Sequence, residues 1–280
     1  MQLLSGKAVS EVRRCEIQKR AAIFAKKQGR KAGLAVVLVG DDPASHVYVK
    51  NKIKACEEVG LASFHHPLPG NSTESAVLRL LERLNEDPGV DGLLVQLPLP
   101  RHLDSKKIIN HIRADKDADG LTIENMGLLF AGQPRVSPCT PSGVMEILRH
   151  YKIKVAGQHC VVVGRSQIVG RPMAQLLLSA DATVTVAHSK TPDLSSVTRM
   201  GDIVVVAAGK PRFLGVSDFK KGAVVVDVGI HRTDEGLCGD VRWDGLEGHV
   251  RAATPVPGGV GPMTITQLLE NTLILAENRG

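Results

Sequence analysis

The chain has 280 residues, 43% hydrophobic and 23% charged, with a net charge of +6 at neutral pH. That is room for two domains with proper cores and an ordinary soluble composition, with no apolar stretch approaching a membrane span. Five cysteines without a C-x-x-C and ten histidines without ligand spacing point to neither a disulfide framework nor a metal site, while dispersed basic residues and 3% aromatics argue against a nucleic-acid partner and for small anionic ligands.

The N-terminus, MQLLSGKAVSEVRR, has no signal-peptide core, so a cytoplasmic location is expected. Residues 10–27 carry Val12, Ile17, Ala21, Ile23 and Phe24 at helical spacing and predict a helix, with Lys26 and Lys27 at its end, where cations are favoured. Residues 34–40 (LAVVLVG) predict a buried strand. Asp41-Asp42-Pro43 predicts a loop, with Ser45 capping a helix that runs to Val59. A strand over 61–66, ending at His65-His66, a helix from Asn71-Ser72-Thr73 through Leu84, a strand over 92–97 and a helix over 105–113 complete the first half. Alternating strand and helix argue an α/β fold with parallel strands. Residues 115–129 read as loop-rich, and Pro138-Cys139-Thr140-Pro141-Ser142 as a linker whose Ser142 caps a helix to His150.

The second half repeats the alternation: strand 159–163, helix 172–180, strand 183–187, helix 192–200, strands 202–207 and 223–228. Residues 253–263 (ATPVPGGVGPM) contain three prolines and three glycines and predict a shaped loop before a final helix over 264–277.

The stretch VVVGRSQIVGRP (161–172) is strand, glycine turn, helix, the unit that sets a phosphate at a helix N-terminus. Gly164 permits a sharp turn and close approach of a phosphate to the backbone, and Pro172 suits a first helical turn. The second glycine of the G-x-G-x-x-G fingerprint is replaced by Ser166, so the generic pattern matches weakly. About 20 residues on, where an NAD site carries an acidic residue for the ribose, stands His188-Ser189-Lys190-Thr191. A hydroxyl and a cation there, with Arg165 from the loop, predict a 2′-phosphate and hence NADP.

In the first half Tyr48 and Lys52 share one helix face. A lysine held among apolar groups has its ammonium disfavoured, which makes an acid or base available near neutral pH. Gln96 ends the strand LLVQLP at the end that faces a ligand crevice in α/β sheets, and Asp119 precedes a glycine turn, where its carboxylate suits a ligand's donor edge. Each residue also has a plainer reading: Tyr48 as packing, Lys52 as a snorkelling surface lysine, Gln96 as a strand cap, Asp119 as a turn former.

Taken in order, Tyr48…Lys52, Val95-Gln96-Leu97-Pro98, Lys116-Asp117-Ala118-Asp119-Gly120, Pro138-Cys139-Thr140-Pro141, Gly164-Arg165-Ser166…Gly170, His188-Ser189-Lys190-Thr191 and Pro255–Thr264 resemble the bifunctional methylenetetrahydrofolate dehydrogenase/cyclohydrolase (FolD) family from about Leu4 to the C-terminus. The resemblance implies two reactions, oxidation of 5,10-methylenetetrahydrofolate with NADP and hydrolysis of the methenyl product to 10-formyltetrahydrofolate. It implies Lys52 as general acid/base, Tyr48 against the folate, Gln96 holding Lys52, Val95 and Leu97 beside the substrate, and Asp119 on the pterin. It also implies that Thr140, Gly164, Arg165, Ser166, Ser189 and Ile230 hold the nucleotide and that Pro257, Gly258, Gly259, Val260 and Gly261 line the folate and nicotinamide. The implied architecture is two α/β domains with a cleft between them: a discontinuous folate-binding catalytic domain, 1–138 plus 263–280, and a Rossmann-like NADP-binding domain with a parallel sheet, 139–262. A cytoplasmic homodimer acting in one-carbon metabolism and purine biosynthesis, without metal, membrane or nucleic-acid partner, completes the expectation. Ala118 and Ala208 depart from the family's usual valine and threonine. The runner-up, a shikimate-dehydrogenase-like oxidoreductase, leaves Tyr48…Lys52 and PVPGGVGPMT unexplained.

Overall fold

Apolar β-branched runs alternating with amphipathic stretches dictate alternating strands and helices. The computed structural model describes residues 1–279, the side chain of Ala44 aside. In chain order the elements are β1 (Gln2–Leu3), α1 (Gly6–Gln28), β2 (Gly33–Val39), α2 (Pro43–Val59), β3 (Ala62–Leu68), α3 (Glu74–Glu86), β4 (Gly92–Val95), α4 (Ser105–Ile109), α5 (Ile123–Phe130) and α6 (Cys139–His150). They continue with β5 (His159–Val163), α7 (Gly170–Ser179), β6 (Thr183–Ala187), α8 (Leu194–Thr198), β7 (Ile203–Val206), β8 (Val224–Asp227), β9 (His231–Thr233), β10 (Gly236–Cys238), β11 (Ala252–Ala253) and α9 (Val260–Arg279).

The chain forms two compact units, Met1–Glu11 with Pro138–Thr264, and Val12–Ser137 with Ile265–Gly280. The chain passes between the units at Pro138 and again after Thr264, Gly280 being outside the described residues. The N-terminus differs from the expectation: residues 1–11 join the other unit, because Gln2 and Leu3 pair in parallel with Ala252 and Ala253. A two-residue strand has no periodicity to announce it.

In the unit containing Pro138–Thr264, six parallel strands run in the order β1-β11-β8-β7-β5-β6. Side chains alternate between the faces, and both faces are covered. Cys160, Val162, Ile203 and Val205 pack with Met173 and Leu177 of α7 on one side. Val161, Val163, Val204 and Val206 pack with Phe219 and Leu246 on the other. Strands β9 and β10 form a separate antiparallel hairpin.

In the other unit three parallel strands run β3-β2-β4, with Ala35, Val37, Leu93 and Val95 packed on Val77, Leu81 and Leu84 of α3. Beyond β4 the segment Lys116–Ala118 lies alongside as an irregular extra strand. Leu93 N donates to Lys116 O at 2.7 Å, and Asp117 bridges in parallel to Leu93.

Three helix starts depart from the sequence expectation. In α2 the cap is Asp42, not Ser45: its carboxylate accepts from Ser45 N (2.8 Å) and Oγ (2.7 Å), and Pro43 takes the first helical position. Helix α6 begins at Cys139 rather than at Ser142, whose N–H donates to Pro138 O. Helix α9 begins at Val260, so Gly261 and Pro262 lie inside its first turn rather than in a loop. A proline in a first turn loses no intrahelical hydrogen bond. The stretch read as loop at 115–129 holds α5, capped by Thr122. On α1, Ile17, Ala21 and Phe24 are buried as expected, but Val12 and Ile23 fall outside that stripe and are exposed.

Candidate active site

In the three-stranded unit, α2 carries Tyr48, Lys52 and Cys56 one turn apart on one face. Tyr48 is 38% exposed and Lys52 only 8%. Lys52 Nζ donates to Gln96 Oε1 at 3.0 Å. Gln96 is fixed from two sides: its N–H donates to Val37 O (2.8 Å), extending the sheet one residue past β4, and its Nε2 donates to Leu97 O (2.6 Å). That second bond sets the amide so that its oxygen faces the lysine. No carboxylate pairs with Lys52 among the described residues. Val95 is buried in the core beneath Gln96, and Leu97 is half-buried. Cys56 is buried, and desolvation pushes its thiol up to about 12, which leaves it unreactive.

Asp119 lies in the turn that follows the Asp117–Leu93 bridge, where Gly120 N donates to Asp117 O at 3.2 Å. Its half-buried carboxylate makes no hydrogen bond or ion pair among the described residues. The residues beside it, which sequence reasoning passed over, hold it there. Asp117 is buried and accepts from Gly120 N (2.9 Å), Thr122 N (2.8 Å) and Asn125 Nδ2 (3.0 Å), closing the turn that presents Asp119. Burial raises its carboxyl above the usual range against these donors. Lys116 is fully buried and donates to Leu84 O (3.0 Å) and Asp87 O (2.7 Å) at the end of α3, where a cation is favoured. Asn271 of α9 donates to Ala118 O at 2.9 Å. The available signal was the D-x-D-G spacing, since Asp and Gly favour turns and an Asp carboxylate closes such a turn by accepting from backbone N–H groups a few residues on.

In the six-stranded unit the glycine loop forms at the C-terminal end of β5. Gly164 has φ +132°, and a side chain there would run into Ala207 O. Its N–H donates to Ala187 O at 2.8 Å, which ties the loop to the end of β6. Ser166 Oγ accepts from Val169 N (3.2 Å) and Gly170 N (3.3 Å) at the start of α7, so its own proton is left to donate to a ligand. After β6, His188 and Thr191 close a tight turn: His188 N donates to Thr191 Oγ1 (2.9 Å), and His188 Nδ1 accepts from Lys190 N (3.1 Å). Arg165, Ser189 and Lys190 are exposed, and none of their side chains has a partner among the described residues. Because Val163 pairs with Ala187, this turn and the glycine loop stand at adjacent strand ends.

Ile230 is exposed just past the end of β8, and Thr140 Oγ1 lies 3.0 Å from Thr264 Oγ1. Pro257 and Gly258 precede α9, Gly259 abuts it, and Val260 and Gly261 open its first turn; Gly258 O accepts from Lys7 N at 3.0 Å. Elsewhere a groove of about 720 Å³ is lined by residues that include Arg113 and Arg135, both already paired with carboxylates, and by none of the candidates. Among the described residues, no group of three or more His, Cys, Asp or Glu side chains is placed to hold a metal ion.

Two family models match, the tetrahydrofolate dehydrogenase/cyclohydrolase catalytic domain over residues 4–119 and the NAD(P)-binding domain of the same family over 138–280. The chain belongs to the tetrahydrofolate dehydrogenase/cyclohydrolase family. It is 58% identical over 279 residues, 99% of this chain and 97% of the other, to the bifunctional protein FolD of Bdellovibrio bacteriovorus. Among solved structures it is similar to the bifunctional FolD enzyme of Campylobacter jejuni, at 47% identity, TM-score 0.96 and full coverage of both chains. The FolD of Trypanosoma brucei, complexed with NADP and an inhibitor, matches at 39% identity and TM-score 0.94 over 99% of this chain and 97% of that one.

Proposed function

We infer that this chain oxidises 5,10-methylenetetrahydrofolate to the 5,10-methenyl cation with NADP and then hydrolyses that cation to 10-formyltetrahydrofolate. The observation that carries the reading is Lys52, buried on α2 with Gln96 Oε1 at 3.0 Å and no carboxylate beside it. That is an amine equipped to move a proton. In the hydrolytic step the Lys52 amine takes a proton as water adds its oxygen to the methenyl carbon. The adduct then breaks its bond to N5: the hydroxyl proton leaves as the formyl C=O forms, N5 gains a proton, and one proton is released overall. Gln96 holds the Lys52 amine on the side where water arrives. Tyr48, one turn before Lys52 and exposed, offers a ring for the folate to pack on, and Val95 and Leu97 flank Gln96. Asp119 offers a bidentate acceptor to the adjacent N–H donors of a pterin, and Pro257, Gly258, Gly259, Val260 and Gly261 supply the small, shaped surface that the family places at the folate and nicotinamide.

The second set of candidates fits a phosphorylated dinucleotide. Gly164 is a cradle that a Cβ would fill, Ser166 keeps a proton to donate at the start of α7, and Arg165 with Ser189 presents a cation and a hydroxyl to a 2′-phosphate. Thr140 and Ile230 complete this set. NADP, when bound, supplies the hydride acceptor, and the chain's part in that step is to hold the two rings in register. A shikimate-dehydrogenase-like activity is not favoured, since both matched family models are of the folate family. The reading extends to a cytoplasmic homodimer in one-carbon metabolism feeding purine biosynthesis, without nucleic-acid or membrane partners. No helix among the described residues is long and apolar enough to cross a membrane, and β6 is an open sheet edge with exposed Val186, which suits pairing with a second copy.

The test is to mix the protein with 5,10-methylenetetrahydrofolate and either NADP⁺ or NAD⁺, follow reduced nucleotide by absorbance, and acidify to recover methenyl from the 10-formyl product. Reduction with NADP⁺ and methenyl recovered only after acid is the expected result. No reduction with either nucleotide would overturn the reading.

A further inference from the structure

Two buried carboxylates outside the assigned residues hold the loops that face the nucleotide candidates. The six-stranded sheet reverses its strand order at β5, with β6 on one side and β7 on the other. In open parallel sheets that switch point is where a dinucleotide lies. One lip of the crevice is the loop at Gly164. The other is the loop after β7, residues 207–210, whose Ala207 is the residue that Gly164 abuts. Three successive amides of this second loop converge on one side chain: Asp240 Oδ2 accepts from Ala208 N (2.6 Å) and Gly209 N (2.9 Å), and Oδ1 accepts from Lys210 N (2.9 Å). Consecutive amides of this kind form an anion-binding nest. Here the anion is the protein's own, fully buried, with His231 Nε2 as a fourth donor at 2.7 Å.

Asp227, the last residue of β8, continues the network. It accepts from Gly229 N and Asp240 N at 2.9 Å each and from Val241 N at 2.9 Å. The fit admits no side chain at the crossing: a Cβ at Gly229 would meet the Asp240 carboxylate, and one at Gly239 the Asp227 carboxylate. Asp240 therefore fixes the β7 loop, Asp227 fixes the turn leading to Ile230, and the two are bonded to each other through the Asp240 amide. Turning the nest's amides inward also withdraws them from a phosphate, which leaves the loop at Gly164 and the start of α7 as the anion site.

We propose that Asp240, seconded by Asp227 and His231, is a positioning residue for the dinucleotide, an internal anion that holds residues 207–210 and 229–230 in the shape that receives it. This rests on the NADP reading above. The test is Asp240→Asn, measured by NADP⁺ titration (binding and thermal shift), by the KM for NADP⁺ against kcat, and by hydrolysis of supplied 5,10-methenyltetrahydrofolate, which needs no nucleotide. The substitution keeps the shape but sets an NH2 against N–H donors. The expected result is a rise of about tenfold or more in both Kd and KM for NADP⁺, with kcat at saturating nucleotide and the hydrolytic rate close to wild type. If Asp240→Asn does not fold, His231→Ala carries the test, with a several-fold rise in Kd expected. Unchanged NADP⁺ affinity in a folded variant, or loss of both activities in proportion, overturns the proposal. Failure of the wild-type protein to bind NADP⁺ at all would instead overturn the cofactor reading.

Discussion

Lys52 and Lys116 are both buried lysines, and the sequence separates neither from the exposed Lys50 and Lys54 that share α2 with Lys52. Spacing placed Tyr48 and Lys52 on one face, but the decisive fact, that Gln96 reaches Lys52 from a strand 44 residues away, is a tertiary contact with no local trace. Arg165 and Ser189 are proposed on the opposite ground. Their meaning comes from position relative to a glycine turn and the following strand end, and such offsets are local. Arg165→Ala therefore tests what the sequence read directly. Its guanidinium has no partner among the described residues, so its removal is expected to leave the fold intact. The KM for NADP⁺ should rise by about tenfold or more, with the KM for NAD⁺ nearly unchanged, as steady-state reduction assays with the two nucleotides would show. Equal rises would mean that Arg165 does not read the 2′-phosphate.

At the scale of elements, buried strands were legible because runs such as IVVV and VVVD have few alternatives. Three helix starts were not. Asp42, Pro138 and Val260 open helices beside prolines and glycines, which read locally as loop. Helix α5 was hidden because what nucleates it is a turn closed by buried Asp117, not an apolar stripe. The segment 116–119 depends on α3 in the same way, through Lys116. Burial, with Arg279 and Arg113 nearby, lowers the Lys116 ammonium to about 8, against 10.5 in the unfolded chain. Below pH 8 both states carry the charge and the fold bears its burial. Between about 8 and 10.5 the unfolded chain binds more protons than the native one, so this group's contribution to stability increases with pH. Denaturant unfolding of wild type and Lys116→Met from pH 7 to 10 should show the difference moving in favour of wild type above pH 8. A difference flat across that range would mean that the ammonium is not held in the interior as described.

At the scale of the whole molecule, two units each close their own core; the Pro-rich stretch at 138–142 reads as a linker in the sequence, while the discontinuous domain was expected only from the family resemblance. The allegiance of residues 1–11 was not, since it rests on two backbone pairings and on Leu4 and Val9 entering the core of the other unit. This division also separates the candidate residues: the three-stranded unit holds Tyr48, Lys52, Gln96 and Asp119, and the six-stranded unit holds those proposed for the nucleotide. On the proposed function, proton transfer at the folate and hydride acceptance at the nucleotide fall to different units, and one substitution should separate the two reactions. The measurement is Lys52→Met, assayed for hydrolysis of 5,10-methenyltetrahydrofolate and, in the same preparation, for NADP⁺ binding and reduction with 5,10-methylenetetrahydrofolate. Hydrolysis should fall by about 100-fold or more, toward the uncatalysed rate, with NADP⁺ bound as by wild type and the methenyl cation accumulating as nucleotide is reduced. Hydrolysis persisting at the wild-type rate would contradict the assignment of Lys52 and the separation of the two reactions built on it.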